Sequence, residues 1–473
     1  MIVIISDLHL TDGTTGETIH TGAFRLFRER LSDMAYDASW RSANNKAGRL
    51  YRPIEVIDLI ILGDFLDVIR STLWTQEKEN EPGYTRPWDD PTSDAFINKV
   101  DQITDATLDN NRHSLAILRA FSTLNENLDD NKNRITIPPA TEIGEVNRLV
   151  AHDQDDPARQ PVPVRIHYVV GNHDWFFHLP GERFDRIRQK IIDQVGLVNP
   201  PTPFPHTLTD SETLLNLSRE HHLFWRHGDM FDPFNYDPNE GRNAASLGDA
   251  LVVELFNRFP EAVENQLGDL LPEKVIAGLK EVGNVYPELV SPIWINGLLK
   301  RHHVQANRVD QIKAIWNDLV REWLRNPFVK SADTNHPGQL IDATQFVLRL
   351  STWTSFELAS KIVAFVYKWK TREKTYREHA LGDAALYPWA KYIVYGHTHT
   401  PEMVPLDFVD AGNEPHEQLY FNCGTWHVWH KLAIRKLMDA EFTTFKNFTY
   451  IGVFKDDERL GRGYETWTGN LDA

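Results

Sequence analysis

The chain has 473 residues, of which 41% are hydrophobic and 25% charged; this ordinary globular composition allows roughly three units of about 150 residues, or one domain with large insertions. A net charge of −17 opposes long-range attraction of a nucleic-acid duplex, and a single cysteine, Cys423, excludes an intramolecular disulfide and fits a reducing compartment. The opening MIVIISDLHL has no basic n-region and no run approaches about 18 apolar residues, so a cytoplasmic protein without a transmembrane segment is expected.

Short apolar, β-branched runs predict strands at Ile2–Ile5 and 56–62. In 93–131, Ile97, Val100, Ile103, Leu108, Leu115, Leu118 and Phe121 follow a helical spacing. The stretch 140–163 is rich in Asp, Pro and Gln and reads as a surface loop. Further strands are predicted at 164–170 and 223–225. A long helical stretch follows over 238–388. It opens on SLGD at 246–249, a capping-box variant. Within it Val309, Ile312, Trp316, Leu319, Val320 and Trp323 line one helix face, and 343–379 reads as a helix buried between others. Strands at Tyr392–Tyr395 and 419–422 come next, and FTTFKNFTYIGVFK and GYETWTG read as closing antiparallel strands.

The first five of the predicted strands named by residue range each end on potential ligands. Asp7 and His9 follow the first, Asp64 and Asp67 the second, and Asn172, His173 and Asp174 the third. His227 and Asp229 follow the fourth, and His397 and His399 follow Tyr392–Tyr395. Ligand sites of open α/β sheets form at the carboxyl ends of strands, so distant residues would converge there. Asp and Asn offer hard oxygens and His borderline nitrogens, a donor set for a pair of divalent ions, with Asp64 able to bridge them. In an extended segment each X-x-X pair would put both side chains on one side. A lone D-x-H or H-x-H carries little; the ordered set of five is specific.

The set D-x-H, G-D-x-x-D, G-N-H-D, H and G-H-x-H resembles the calcineurin-like metallophosphoesterase superfamily. The resemblance covers about half the chain, around the motifs, and neither long insert. It implies an α/β fold of four αββα layers; the two large, mainly helical insertions, each leaving from and returning to the ligand-bearing edge, would form a cap. The core would be 1–70, 164–237 and 389–473, and the insertions 71–163 and 238–388. It implies one ion on Asp7, His9, Asp64 and His399 and a second on Asp64, Asn172, His227 and His397. Manganese is the first expectation, with iron or zinc also suited to these donors. By the same resemblance His173 assists the leaving oxygen, Asp67 orients His173, and Asp174 and Asp229 support the histidine ligands. The implied activity is hydrolysis of a small nucleotide-like or lipid-linked phosphodiester or pyrophosphate by a hydroxide held between the ions.

The motif layout is most similar to UDP-2,3-diacylglucosamine pyrophosphohydrolases. Those enzymes usually carry Arg where His173 stands and are about half as long. Val68-Ile69 after Asp67, in place of Arg-Gly, argues against a protein phosphatase; Arg70 reads as a phosphate contact or a surface salt bridge. A nuclease is the first alternative, disfavoured by the acidic balance. A non-enzymatic scaffold is the second, disfavoured by the complete ligand set. Thr425, Trp426, His427 and His430 could border the site, and His20 could touch substrate. The pairs His221-His222 and His302-His303 read as packed or solvated, and Cys423 as a buried strand residue.

Overall fold

A computed structural model describes residues 1–16, 18–42, 48–124, 134–286, 290–335, 348, 375–409, 415–436 and 439–470. Two mixed sheets organise the chain. Their strands, in chain order, are β1 (Ile2–Ile5), β2 (Ile57–Leu62), β3 (Val164–Val169), β4 (Leu223–Arg226), β5 (Tyr392–Tyr395), β6 (Pro401–Val409), β7 (His416–Cys423), β8 (Asn447–Val453) and β9 (Tyr464–Asn470). The first sheet runs β9-β8-β1-β2-β3 and the second β6-β7-β5-β4. β1, β2 and β3 are parallel, as are β4, β5 and β7; β6, β8 and β9 are added antiparallel. This is the expected α/β class.

The central strands are apolar throughout because both of their faces are covered. Val3, Ile5, Leu59, Ile61 and Ile166 pack against helices Thr21–Ala38, Asp94–Asn110, Arg112–Phe121 and Glu182–Val195, through residues such as Phe27, Ile103, Leu118 and Ile191. Their alternates, Ile2, Ile4, Ile60, Leu62 and Val169, share a second core with Trp225, Val394 and Phe421 of the other sheet. Ala380 and Ala384 of helix Tyr376–Leu386 close that core. The ligand-bearing loops leave the carboxyl ends of β1, β2, β3, β4 and β5.

The helical spacing of 93–131 becomes two helices, split where the Asn111 side chain donates to Thr11 O and Thr107 O, both at 2.8 Å. Ser93 caps the first by accepting from Phe96 N at 3.2 Å. These helices lie in the same core as β1 and β2. The first insertion is therefore not, as expected, wholly part of a cap: its helices complete the layer over the first sheet. The 140–163 segment is more ordered than a loop. It holds helix Arg148–His152 and strand Gln160–Pro161, tied to Thr136–Ile137 through the buried Arg159, whose Nη2 donates to Thr136 O at 2.6 Å.

The second insertion has a core of its own. Ser246 accepts from Asp249 N at 3.2 Å and Asp249 from Ser246 N at 2.9 Å, so the capping box forms. On helix Ala306–Arg325 the predicted face is buried from Ile312 to Trp323, with Val309 partly so. Strand Val285–Tyr286 pairs with Trp429–Lys436, itself paired with Asp439–Phe445. Leu432 joins the insertion's core, so this hairpin, placed with the metal-bearing core from sequence, packs with the insertion. Most of the helix expected over 343–379 lies outside the described residues; its end overlaps helix Tyr376–Leu386. No described helix is long and apolar enough to cross a membrane.

Candidate metal centre

The loops after β1, β2 and β5 turn through left-handed backbone. Asp7 (φ 55°), His9 (47°), Asp64 (51°), His397 (67°) and His399 (58°) all occupy that region, as half of the ten non-glycine residues that do so among the described residues. Each such residue costs roughly 1–3 kcal/mol and persists only where its surroundings enforce it. Here Asp7 N donates to Gly63 O at 3.2 Å and His9 N to Asp64 O at 2.8 Å, locking the two loops together. Thr425 Oγ1 donates to Asp7 O at 2.6 Å and Trp426 N to the same oxygen at 3.2 Å. The X-x-X pairs are therefore not extended, as the sequence suggested. They converge because both members of each pair are left-handed.

The candidate ligands meet as three overlapping groups among the described residues. Asp7, His9 and His399 form one, Asp64, His227 and His397 another, and His9, Asp64 and His173 a third that links them, with donor atoms inside 4.8 Å within each. His9 Nε2 lies 3.0 Å from His399 Nε2, and Asp7 Oδ1 3.4 Å from the latter. Asp64 Oδ2 is 3.7 Å from His9 Nε2 and 3.2 Å from His227 Nε2, so one oxygen faces both groups. Asn172 Oδ1 lies 3.2 Å from His227 Nε2 and 3.0 Å from His397 Nδ1. His397 and His399 thus fall in different groups.

The outer nitrogens set the tautomers. His9 Nδ1 is 2.9 Å from Asp67 Oδ2, and His227 Nδ1 is 2.9 Å from Leu62 O, a pure acceptor. With its Nδ1 donating outward, His9, whose pKa burial lowers, presents an Nε2 lone pair inward, the pattern of a histidine oriented for a cation. His9 Nε2 and His399 Nε2, 3.0 Å apart, suit a shared ion at about 2.1 Å from each. The residues present therefore fit divalent metal.

Charge argues the same way. Asp7, Asp64 and Asp67 are buried. Burial works to raise the Asp64 carboxyl, but His227, His173 and His9 hold it well below the carboxylate range. Asp67 is likewise held low against its burial by His173 and His9, and Asp7 by His227 and His399. His227 rises to about 10 against its burial because of Asp64 and Asp7. Burial lowers His9, and Asp67 does not fully offset it. Three enclosed anions require positive charge beside them, which His173 and His227 carry here and which a divalent ion could carry in place of the His227 proton.

Two glycines allow the approach. A Cβ on Gly171 would lie 2.3 Å from Asp64 Oδ1 and 2.7 Å from His227 Nε2. One on Gly396 would lie 2.2 Å from Ser6 Oγ and 2.7 Å from Asp7 Oδ2.

His173 belongs to the linking group, with His9 and Asp64. Its backbone N–H donates to Asp64 Oδ1 at 2.8 Å and its Nδ1 lies 2.9 Å from Asp67 Oδ1. Asp67 therefore divides its two oxygens between His173 and His9. Burial lowers the His173 imidazole, but Asp67 and Asp64 prevail and raise it to about 9. Its side chain is 18% exposed, against 0% for Asp67.

Asp174 and Asp229 do not support the histidine ligands as expected. Asp174 accepts from Phe65 N at 2.9 Å, Tyr168 OH at 2.5 Å and Gly171 N at 2.5 Å, and so joins the Asp64 and Asn172 loops through their backbones. Burial and the nearby Asp64 raise it to about 7. Asp229 is ion-paired with Arg242 and lies 3.8 Å from His206 Nε2. Arg70 is buried rather than on a surface salt bridge, with Nη1 3.1 Å from His427 Nε2. The His427 and His9 rings are 5.9 Å apart, whereas His430 stacks on Trp294 at 4.1 Å, in the second insertion. His20 caps helix Thr21–Ala38, accepting from Gly22 N at 3.1 Å. His221 and Cys423 are buried, His222 is half-buried, and His303 is exposed.

Two residues at the centre were not singled out from sequence. Ser6 Oγ donates to Asp7 Oδ2 at 2.5 Å, and Asp232 Oδ2 lies 3.3 Å from His397 Nε2. Asp232 precedes Pro233 and reads as an ordinary turn. Its nearness to His227 in the chain was the available signal. Neither a scan against protein-family models nor a search of curated proteins finds a match to this chain.

Proposed function

We propose that the protein is a metal-dependent phosphoester hydrolase of the calcineurin-like type, acting on a phosphodiester or pyrophosphate. The observation that carries this reading is the left-handed backbone at Asp7, His9, Asp64, His397 and His399, strain concentrated on the residues that converge. The core shared by the two sheets, with helices on their outer faces, supports a four-layer αββα arrangement. Asp7, His9, Asp64 and His399 would hold one ion and Asp64, Asn172, His227 and His397 the other, manganese first. When bound, such a pair supplies Lewis acidity and activates a water molecule.

The chain's own residues do the rest. Asp67 fixes His9 and His173 at once, 2.9 Å from a ring nitrogen of each. With Nδ1 held there, His173 carries a proton on Nε2 toward the departing oxygen. Water adds to phosphorus and loses a proton to solvent, the bond to the leaving oxygen breaks, and that oxygen takes the His173 proton, which solvent then restores. Asp64→Ala and His173→Ala test the reading on an aryl phosphodiester with manganese. Asp64→Ala should abolish turnover; unchanged hydrolysis by it sinks the assignment.

A further inference from the structure

A cavity of about 250 Å³ lies where the two insertions meet. Its walls are continuous in the chain with the site. Trp175 lies two residues after His173, and Pro233 follows Asp232, which touches His397. Tyr236 continues that wall, and the opposite walls come from the first insertion at Trp88 and the second at Phe328. Trp88 and Phe328 stack in parallel, 5.0 Å between centroids and 11° between planes, so the two insertions meet here. The volume is below the roughly 300–1,000 Å³ of pockets for drug-sized ligands. That volume suits a small head group.

The lining selects by charge. Asp89, Asp237 and Glu240 contribute three carboxylates, and none of the described lining residues is basic. Backbone N–H groups hold two of them: Arg86 N donates to Asp89 at 2.7 Å and Asn239 N to Asp237 at 2.8 Å. The Arg242 guanidinium lies 5.5 Å from the Tyr236 ring centroid and is already paired with Asp229, and that of Arg86, next to Pro87, is paired with Glu254. An anion would be repelled here. Aromatic faces combined with carboxylates are the chemistry that recognises an alkylammonium ion.

We infer that this cavity holds a small alkylammonium group of the substrate, while the phosphoryl group sits at the metal centre. The inference rests on the phosphoesterase reading for the second half of that statement only.

The test uses the full chain with manganese and two esters of one shape, p-nitrophenyl phosphorylcholine and its uncharged 3,3-dimethylbutyl analogue. In each, water adds to phosphorus, the P–O(aryl) bond breaks and nitrophenolate leaves. The expected result is a kcat/KM ratio of about 10 in favour of the choline ester, falling toward unity in Glu240→Gln and Trp88→Leu. Equal rates in the wild type, or a ratio unmoved by both variants, overturn the inference. Tryptophan fluorescence titrated with choline chloride reads the cavity without chemistry. Saturable quenching, weakened in Trp88→Leu, upholds it; no saturable change overturns it. Choline binding with neither ester cleaved upholds the cavity and overturns the hydrolase reading, so the two failures are distinct.

Discussion

His9 and His399, almost the full chain apart, bring their Nε2 atoms within 3.0 Å of each other. Because His9 gives its Nδ1 proton to Asp67, its Nε2 offers a lone pair. A cation between the two rings satisfies both nitrogens. His397, two residues before His399, faces Asn172 and Asp232 instead. His397→Ala and His399→Ala should therefore each lose one bound ion of two and keep the other. Metal analysis after dialysis reads this; loss of both ions from either variant, or of neither, contradicts the assignment.

Asp67 touches no predicted metal position but holds two imidazoles at 2.9 Å. Asp67→Asn should weaken metal binding by roughly 10- to 100-fold, the usual effect of removing a ligand's outer partner. It should also slow turnover at saturating manganese, because His173 loses the carboxylate that keeps it protonated. Competition with a chelating dye measures the first effect and kcat the second.

Gly171→Ala places a methyl group 2.3 Å from Asp64 Oδ1. Overpacking of this kind costs about 1–3 kcal/mol. The cost should be greater in the presence of manganese, since the displaced carboxylate is the one shared by both groups. Denaturant unfolding of wild type and variant, with and without metal, gives the comparison.

Metal should also stabilise the wild type. Binding to the folded chain alone contributes about 2.7 kcal/mol when free metal is 100 times its Kd. The three buried carboxylates add a reason for the chelated protein to melt earlier. An unchanged Tm with a chelator contradicts the donor reading.

The buried His221 gives a pH signature away from the centre. Its Nδ1 donates to Leu217 O at 2.9 Å, and burial, then the N-terminal amine, lower its pKa to about 4. The unfolded value is near 6.5, so between these values the unfolded chain binds more protons. The His221 contribution is present above pH ~6.5 and is lost as pH falls toward ~4. His221→Gln should flatten this part of the stability–pH curve, read from denaturant midpoints across that range.

The strands and the convergence at their ends were legible because each ligand pair follows an apolar run that must be buried on both faces. The physical route to convergence was not. Periodicity describes extended or helical backbone, and Asp7, His9, His397 and His399 are neither. Asp174 and Asp229 look alike in sequence, each an Asp beside a ligand, yet one binds backbone N–H groups and the other Arg242. Only the packed loops decide between them. The helices of the first insertion were legible as amphipathic, but an apolar stripe does not name its partner. Their stripe packs on the first sheet.

Titrating manganese into the chelator-treated chain while following hydrolysis of an aryl phosphodiester probes the two-ion centre and the hydrolysis together. The rate should be negligible without metal, rise with manganese and saturate at two ions per chain. No turnover at any metal concentration, or a rate that ignores manganese, would contradict the metal-dependent hydrolase reading.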